Sequence, residues 1–387
     1  MLNFYNQRLK VLIISYYAPP LGLSGVLRVT KFCKYLPDFG IEPIILTCQP
    51  ISYYYYDPEL LKEIKGIKIY RAESFDPARI FFLFFGKKVS PSRLPSPDFF
   101  FPDSKIGFLP FAYNLGRKVI QKEKVSLIFA TAPPWTVLLL GVSLKRHFSL
   151  PLISDFRDPW PQGFIPPRNL FKKGISSLLQ YIVKNSDAIT LVQERIKSIL
   201  GIEGYLLPNG YDLESEEVSS DQNNLFYAGN LFENEKEFFS IIQAIQEKNF
   251  PIRLDIAGAG REDFIQKIRR YPFVNYLGIL THKEVSQLMR RSSFLLYISK
   301  PNQEAGIKLY EYLGAKRPII YLGPPDTEAE RIIKKTDSGI TIRKGEEIKE
   351  ALKEGLRREF QFLGVEGYSF HKKAERLAEI MRKVSRK

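Results

Sequence analysis

The sequence predicts an α/β protein made of two doubly wound, Rossmann-like domains, and three observations carry that expectation. Short apolar runs alternate with helix-patterned stretches along the chain, the signature of a parallel sheet wound by crossover helices. Most of these runs end in glycine or a short polar turn, the strand end at which α/β sheets bind ligands. The polar run Glu214 to Asn224 interrupts the alternation once, and a second set begins beyond it. At 387 residues the chain exceeds what one core usually supports. Two domains are therefore expected, 1–205 and 206–367, with the basic stretch 368–387 packing back onto the first.

Taken in order, Val11 to Tyr17 reads as a buried strand, followed by the loop Ala18-Pro-Pro-Leu-Gly-Leu-Ser-Gly25 and a helix from Val26 to Leu36. The spacing Gly22-x-x-Gly25 lacks the third glycine of a dinucleotide fingerprint, so no NAD site is inferred, although a ligand could approach the backbone at Gly25. Arg28, early in that helix, reads either as a solvated charge or as a contact for an anionic ligand. Ile44 to Thr47 and Ile67 to Tyr70 give the next strands.

The segment Ile80 to Phe85 is aromatic and apolar, flanked by Arg79, Lys87 and Lys88, then by Pro91, Pro95, Pro97 and Phe99 to Phe101. It fits a membrane-interface patch or a loop folded into the core. Leu127 to Ala130 and Pro151 to Asp155 are further strands. The second runs into Asp155-Phe-Arg-Asp-Pro-Trp160, which puts three charged side chains where a binding crevice is expected. The alternative is a structural ion pair between Arg157 and one of the aspartates. A helix near Ile175 to Lys184, the strand Ala188 to Val192 and a short strand and turn over Tyr205 to Asp212 complete the first set.

The second set runs through strands at Leu225 to Gly229, Ile252 to Ile256, Val274 to Gly278 and Phe294 to Ile298, with helices around Phe238 to Lys248 and Lys283 to Arg291. It leads to the stretch Gln303 to Leu322, where Gly306 opens a helix carrying Lys308 and Glu311 before a strand at Ile319 to Leu322. Free N–H groups and the positive end of the helix dipole make such a terminus a place for phosphate. Lys308 adds a cation, and Glu311 is one turn further in, placed to accept hydrogen bonds from ribose or sugar hydroxyls. An ordinary amphipathic helix with solvated charges is the competing reading. The last helix, around His371 to Val384, is basic.

Composition narrows the classes. With 44% hydrophobic and 26% charged residues the chain reads as an ordinary globular protein. No apolar run approaches the roughly 18 to 20 residues of a spanning helix, and a signal-peptide pattern is not expected at the N-terminus. Cys33 and Cys48 have neither metal-ligand nor disulfide-framework spacing, and His147, His282 and His371 are far apart, so no structural zinc is expected and a reduced, cytoplasmic setting fits. The net charge of +15 is uneven: residues 1–205 hold 27 Lys and Arg against 15 Asp and Glu, residues 206–367 hold 23 against 25, and 368–387 hold 7 against 2. An anionic partner for the first domain is expected, and a membrane surface fits better than nucleic acid, for which charge is the sole argument.

In order and spacing, Pro19-Pro-Leu-Gly22 to Gly25, Asp155 to Trp160, Leu207-Pro-Asn-Gly-Tyr-Asp212, Tyr227-Ala-Gly-Asn-Leu231, Ala257-Gly-Ala-Gly260, Leu277-Gly278 and Gly306 to Leu313 resemble the GT-B glycosyltransferases of the family 4 type, over almost the whole chain. The resemblance implies two Rossmann-like domains facing across a cleft, the second holding a nucleotide-diphospho-sugar, UDP- or GDP-linked, and the first a glycan or lipid-linked acceptor. It implies transfer with retention, no obligatory metal or cofactor, and a place in cell-surface polysaccharide or glycolipid synthesis, peripheral at the inner face of the membrane. Carried over, the donor residues are Gly25, Gly229, Asn230, Lys236, Gly258, Gly260, Gly278, Gln303, Gly306, Ile307, Lys308, Leu309 and Glu311. Glu311 matches the second of the family's paired glutamates and Lys236 its diphosphate lysine.

Three departures stand out. Gln303 replaces the first glutamate, Asn230 replaces the arginine that usually follows Gly229, and no histidine occurs near Thr131 to Leu138. The resemblance therefore leaves Asp155, Arg157 and Asp158 as candidates for the reaction centre. Two other classes share the nucleotide half: a nonhydrolysing sugar-nucleotide epimerase and a non-catalytic nucleotide-sugar binding protein.

Overall fold

The structure, a computed structural model, describes residues 8–22, 24–51, 55–85, 100–159, 169–212, 223–232, 234–247, 251–301 and 305–386. The chain divides into two compact units, Met1–Pro208 with Lys373–Lys387, and Asn209–Lys372.

The first unit is a seven-stranded sheet: β1 (Leu9–Ile14), β2 (Ile41–Cys48), β3 (Lys68–Ala72), β4 (Leu127–Ala132), β5 (Leu152–Phe156), β6 (Ala188–Leu191) and β7 (Tyr205–Leu206). Every pair is parallel, in the order β3-β2-β1-β4-β5-β6-β7. β1, β2, β4 and β5 are almost entirely buried, which is why they read as unbroken Val, Ile and Leu runs rather than as alternating ones. The second unit is a six-stranded parallel sheet: β8 (Asn224–Ala228), β9 (Arg253–Ala257), β10 (Val274–Gly278), β11 (Phe294–Ile298), β12 (Ile319–Leu322) and β13 (Gly339–Ile342), in the order β10-β9-β8-β11-β12-β13. Two apolar clusters sandwich it, one with Phe238, Ile241 and Leu352, the other with Leu309, Tyr312 and Leu313.

Both sheets are doubly wound in the Rossmann sense, as the alternation of the sequence predicts. The strand order reverses between β1 and β4 in the first and between β8 and β11 in the second, and the carboxyl ends of those four strands flank the crevices in which such sheets bind ligands. The helix Leu109–Glu123 and the edge strand β13 lie outside the elements assigned from sequence.

The aromatic segment at Ile80 to Phe85 belongs to a helix, Pro77–Phe85, rather than a loop. Its Leu83, Phe84 and Phe85 are 64, 81 and 64% exposed. Arg79 is not the flanking surface cation that the sequence suggests. It is 2% exposed and donates to the Gln49 carbonyl at 2.9 Å, to Glu73 at 2.6 Å and to Cys48 Sγ at 2.7 Å, anchoring the helix next to the end of β2. Lys87, Lys88, Pro91, Pro95, Pro97 and Phe99 lie outside the described residues. Among the described residues no helix is long and apolar enough to cross a membrane. In the first unit, residues 373–387 supply most of the helix Phe370–Ser385, whose Arg382 donates to the Phe39 carbonyl.

Candidate functional site

In the second unit the sequence-named glycines meet at the carboxyl edge. Gly258 has φ +142°, and a Cβ there would lie 1.8 Å from the Gly229 carbonyl oxygen, so only glycine lets these two loops touch. Gly258 donates its N–H to the Gly278 carbonyl at 2.8 Å, and Gly229 donates to Ala257 at 3.0 Å. Gly260 packs on Leu231. Opposite them stands the helix Ile307–Ala315, capped by Gly306. It buries Leu309, Tyr310, Tyr312 and Leu313, which leaves Lys308 and Glu311, three residues apart, at the edge. Tyr312 accepts a hydrogen bond from the Ala228 N–H at 2.9 Å and so ties this helix to the end of β8.

Glu311 closes the ring. Its side chain is 10% exposed, with Oε1 bound to His282 Nε2 at 2.9 Å and Oε2 to Lys308 Nζ at 2.6 Å. His282 is the first residue of the helix His282–Arg291, which follows β10 after three residues. Contacts and short runs of chain therefore link Gly229 to Gly258 and Gly278, Gly278 through three residues to His282, His282 to Glu311, and Tyr312 back to Ala228. Burial alone would raise the Glu311 carboxyl, but the Lys308 cation and His282 outweigh it and bring it down to about 2, so the group is a carboxylate at any physiological pH.

The helix at Gly306 has the character expected of an anion site. The helices Glu235–Glu247, Glu262–Ile268 and His282–Arg291 that start at the same edge carry acidic residues in their first turns; Ile307–Ala315 carries none and has no side-chain cap. The Gly306 N–H donates to the Tyr297 hydroxyl at 3.0 Å, whereas the Ile307 and Lys308 amides have no acceptor among the described residues. Lys236 is exposed in the first turn of its helix. Its neighbour Glu237 pairs with Lys300, just past the end of β11, so a second lysine stands close by that sequence reasoning did not single out.

One donor assignment changes. Leu309 is fully buried and its amide bonds to the Gly306 carbonyl at 3.1 Å, so it is a core residue and not a ligand contact. Asn230 is exposed; its Oδ1 accepts from the Phe232 N–H at 2.9 Å and its carbonyl accepts from the Tyr227 hydroxyl at 2.9 Å, which fixes the loop. Gln303 lies outside the described residues.

In the first unit the Asp-Phe-Arg-Asp stretch separates into three roles. Asp155 is fully buried and accepts from Arg28 at 2.9 and 3.1 Å, from Thr131 at 2.6 Å and from Thr190 at 2.6 Å. Burial pushes it toward the neutral form, but the Arg28 charge prevails and holds it below the ordinary range. With its lone pairs taken by fixed donors it is a positioning residue, not one that meets substrate. Arg28, neither solvated nor ligand-facing, also donates to the Leu207 carbonyl at 3.0 Å.

Arg157 pairs with no aspartate among the described residues. It donates to the carbonyls of Gly25 at 2.6 Å, Ala132 at 3.1 Å and Pro133 at 2.7 Å, clamping the loops after β1 and β4 at the point where the strand order reverses. Asp158 alone remains available. It is half-buried, has no hydrogen-bond partner among the described residues, and is raised by burial above the usual carboxylate range, with Arg157 opposing the shift. At Gly25 a Cβ would meet open space, so a ligand can approach that backbone. Trp160 lies outside the described residues.

Residues 222–359 match the family model described as Glycosyl transferases group 1. No curated protein matches the sequence. Among solved structures the chain is similar to sucrose-phosphate synthase from Thermosynechococcus elongatus, at 12% identity and TM-score 0.66, over 97% of this chain and 99% of that one. Alr3699/HepE of Anabaena, solved with UDP and glucose, gives 12% and 0.62 over 97% and 100%. A putative UDP-N-acetylglucosamine 2-epimerase from Listeria monocytogenes gives 12% and 0.61 over 97% and 96%. The fold is thus the two-domain GT-B fold, and its second domain carries the glycosyl transferase group 1 match.

Proposed function

We propose that the protein is a retaining glycosyltransferase of the family 4 type that moves a sugar from a UDP- or GDP-sugar to a glycan or lipid-linked acceptor. The observation that carries this reading is the linked set of Gly229, Gly258, Gly278, His282, Glu311 and Tyr312 beside an uncapped helix start, inside the region that matches the group 1 model. Ribose hydroxyls donate to Glu311. The diphosphate lies on the Ile307 and Lys308 amides, with Lys308 and Lys236 as its cations. As the bond from the anomeric carbon to phosphate stretches, charge grows on the leaving diphosphate and an oxocarbenium-like ring develops. Amides and lysines aimed at the leaving group stabilise that charge in the transition state more than in the ground state.

In this mechanism the leaving phosphate takes the acceptor proton, and Asp158 in the first domain orients the acceptor hydroxyl. Arg157 and the Arg28–Asp155 pair hold the loops that present Asp158. Titration of the full chain with UDP and GDP, followed by product analysis with each sugar nucleotide, tests the reading. Binding of one nucleotide in the micromolar range and sugar transfer to added glycan or lipid acceptor are expected; binding of neither sinks it. The similarity to an epimerase keeps a second reading in view, and release of an epimerised sugar without any acceptor would establish it.

We further propose a peripheral position at an anionic membrane surface, on the inner face, where cell-surface polysaccharide or glycolipid precursors are made. The exposed Leu83, Phe84 and Phe85 and the basic balance of the first 205 residues support it. Co-sedimentation with phosphatidylglycerol vesicles should be strong at low salt and weaker for Phe84→Ser; no sedimentation at low salt would remove the claim.

A further inference from the structure

We infer that His282 is a positioning residue that holds Glu311 for ribose, while Lys308 is an exchangeable partner that leaves Glu311 when the donor diphosphate arrives. The inference rests on the reading of the second unit as a nucleotide-sugar site. Each oxygen of the Glu311 carboxylate meets one basic group, and the two groups are built differently.

His282 stands on a fixed backbone. Thr281 caps its helix through a complete capping box, with Glu284 N–H donating to Thr281 Oγ1 at 3.2 Å and Thr281 N–H donating to Glu284 at 2.8 Å. A short, stiff imidazole from that point keeps Oε1 in place. Lys308 reaches Oε2 on a flexible four-carbon stem, is more exposed, at 29% against 16%, and sits in the first turn beside the open amides at the helix start. A diphosphate at those amides offers Lys308 more negative charge than one carboxylate does. Lys308 moves across still protonated, a ribose hydroxyl donates to the vacated Oε2, and His282 keeps the carboxylate from rotating. No proton changes owner.

The test is a calorimetric titration of the full chain, wild type and variants, with the nucleoside diphosphate that binds and with its 2′,3′-dideoxy form. The wild type should prefer the ribose form by at least tenfold, as expected for hydrogen bonds to a charged acceptor. His282→Ala should lose about tenfold in affinity for the ribose form and little for the dideoxy form. His282→Gln, which can still donate to Oε1, should restore the preference to within a few-fold. In turnover, His282→Ala should raise the donor KM and leave kcat nearly unchanged. Equal losses for both nucleotides, or an unchanged preference in His282→Ala, would overturn the inference while leaving the donor site standing. Should His282→Ala fail to fold, failure of His282→Gln to keep the preference would overturn it. A wild type that binds neither nucleotide would remove the donor reading and this inference with it.

Discussion

Each sheet buries a carboxylate, and the two are used in opposite ways. Asp155 in the first unit is sealed in by Arg28, Thr131 and Thr190, three side chains on one helix and two strands, and none of them has room to leave. Glu311 in the second keeps a 10% opening and two basic partners, one of them a flexible lysine that is itself partly in solvent. A carboxylate whose partners are all rigid is a strut, whereas one with a displaceable partner is a ligand group held ready. Burial and a lowered carboxyl, common to both, do not tell these apart; the mobility of the partners does.

Removing one side of the strut should have the largest effect. Arg28→Ala leaves the Asp155 charge in the interior with two threonine hydroxyls and no counter-charge, which costs about 3–5 kcal/mol. Urea unfolding should show a loss of that size or no soluble protein, and Arg28→Met with Asp155→Leu should recover much of it. If Arg28→Ala melted like the wild type, the strut would not exist.

The second test asks whether the open carboxylate of the first unit is the chemical one. Asp158→Asn should lower kcat about 100-fold, in line with the loss of one oriented polar group at a reaction centre. Melting temperature and nucleotide affinity should move little, since Asp158 has no partner among the described residues. Full activity in Asp158→Asn would remove it from the chemistry.

The smallest effect concerns acid. The folded-state value of about 2 for Glu311 lies below the ordinary glutamate value near about 4.3, so its ionised form stabilises the fold above that value. The contribution, on the order of 2–3 kcal/mol, is lost as pH falls from about 4.3 toward about 2. Glu311→Gln should therefore differ most in stability from the wild type at pH 6 and converge with it near pH 2–3. A gap independent of pH would mean that the Lys308 and His282 contacts do not hold the charge.

Much of this was legible from residue order. The apolar runs that became β10, β11 and β12 are bounded by turn residues, so the bounds read from sequence coincide with the strands found. Gly306 announced a helix start because a glycine before an apolar-periodic stretch serves as an N-cap, and Lys308 and Glu311 followed by spacing. β13 escaped because a glycine and a threonine interrupt the apolar residues of Gly339–Ile342, whereas the equally short β12 is apolar throughout.

Partners distant in sequence were the larger loss. Nothing local joins Arg28 to Asp155, 127 residues apart, or His282 to Glu311, 29 apart. A signal for His282 was present all the same. Thr281 to Glu284 spells a capping box shortly after the strand that ends at Gly278, and that spacing alone puts His282 at the binding edge.

The second unit is a single uninterrupted stretch, Asn209–Lys372, whereas the first is completed only by residues 373–387. The later unit can close on itself from one unbroken stretch of chain, whereas the earlier one is completed by residues from beyond it, so the usual N-to-C order of domain folding does not hold here. Removal of residues 373–387 would therefore harm the amino-terminal sheet most, although the cut lies at the far end of the chain.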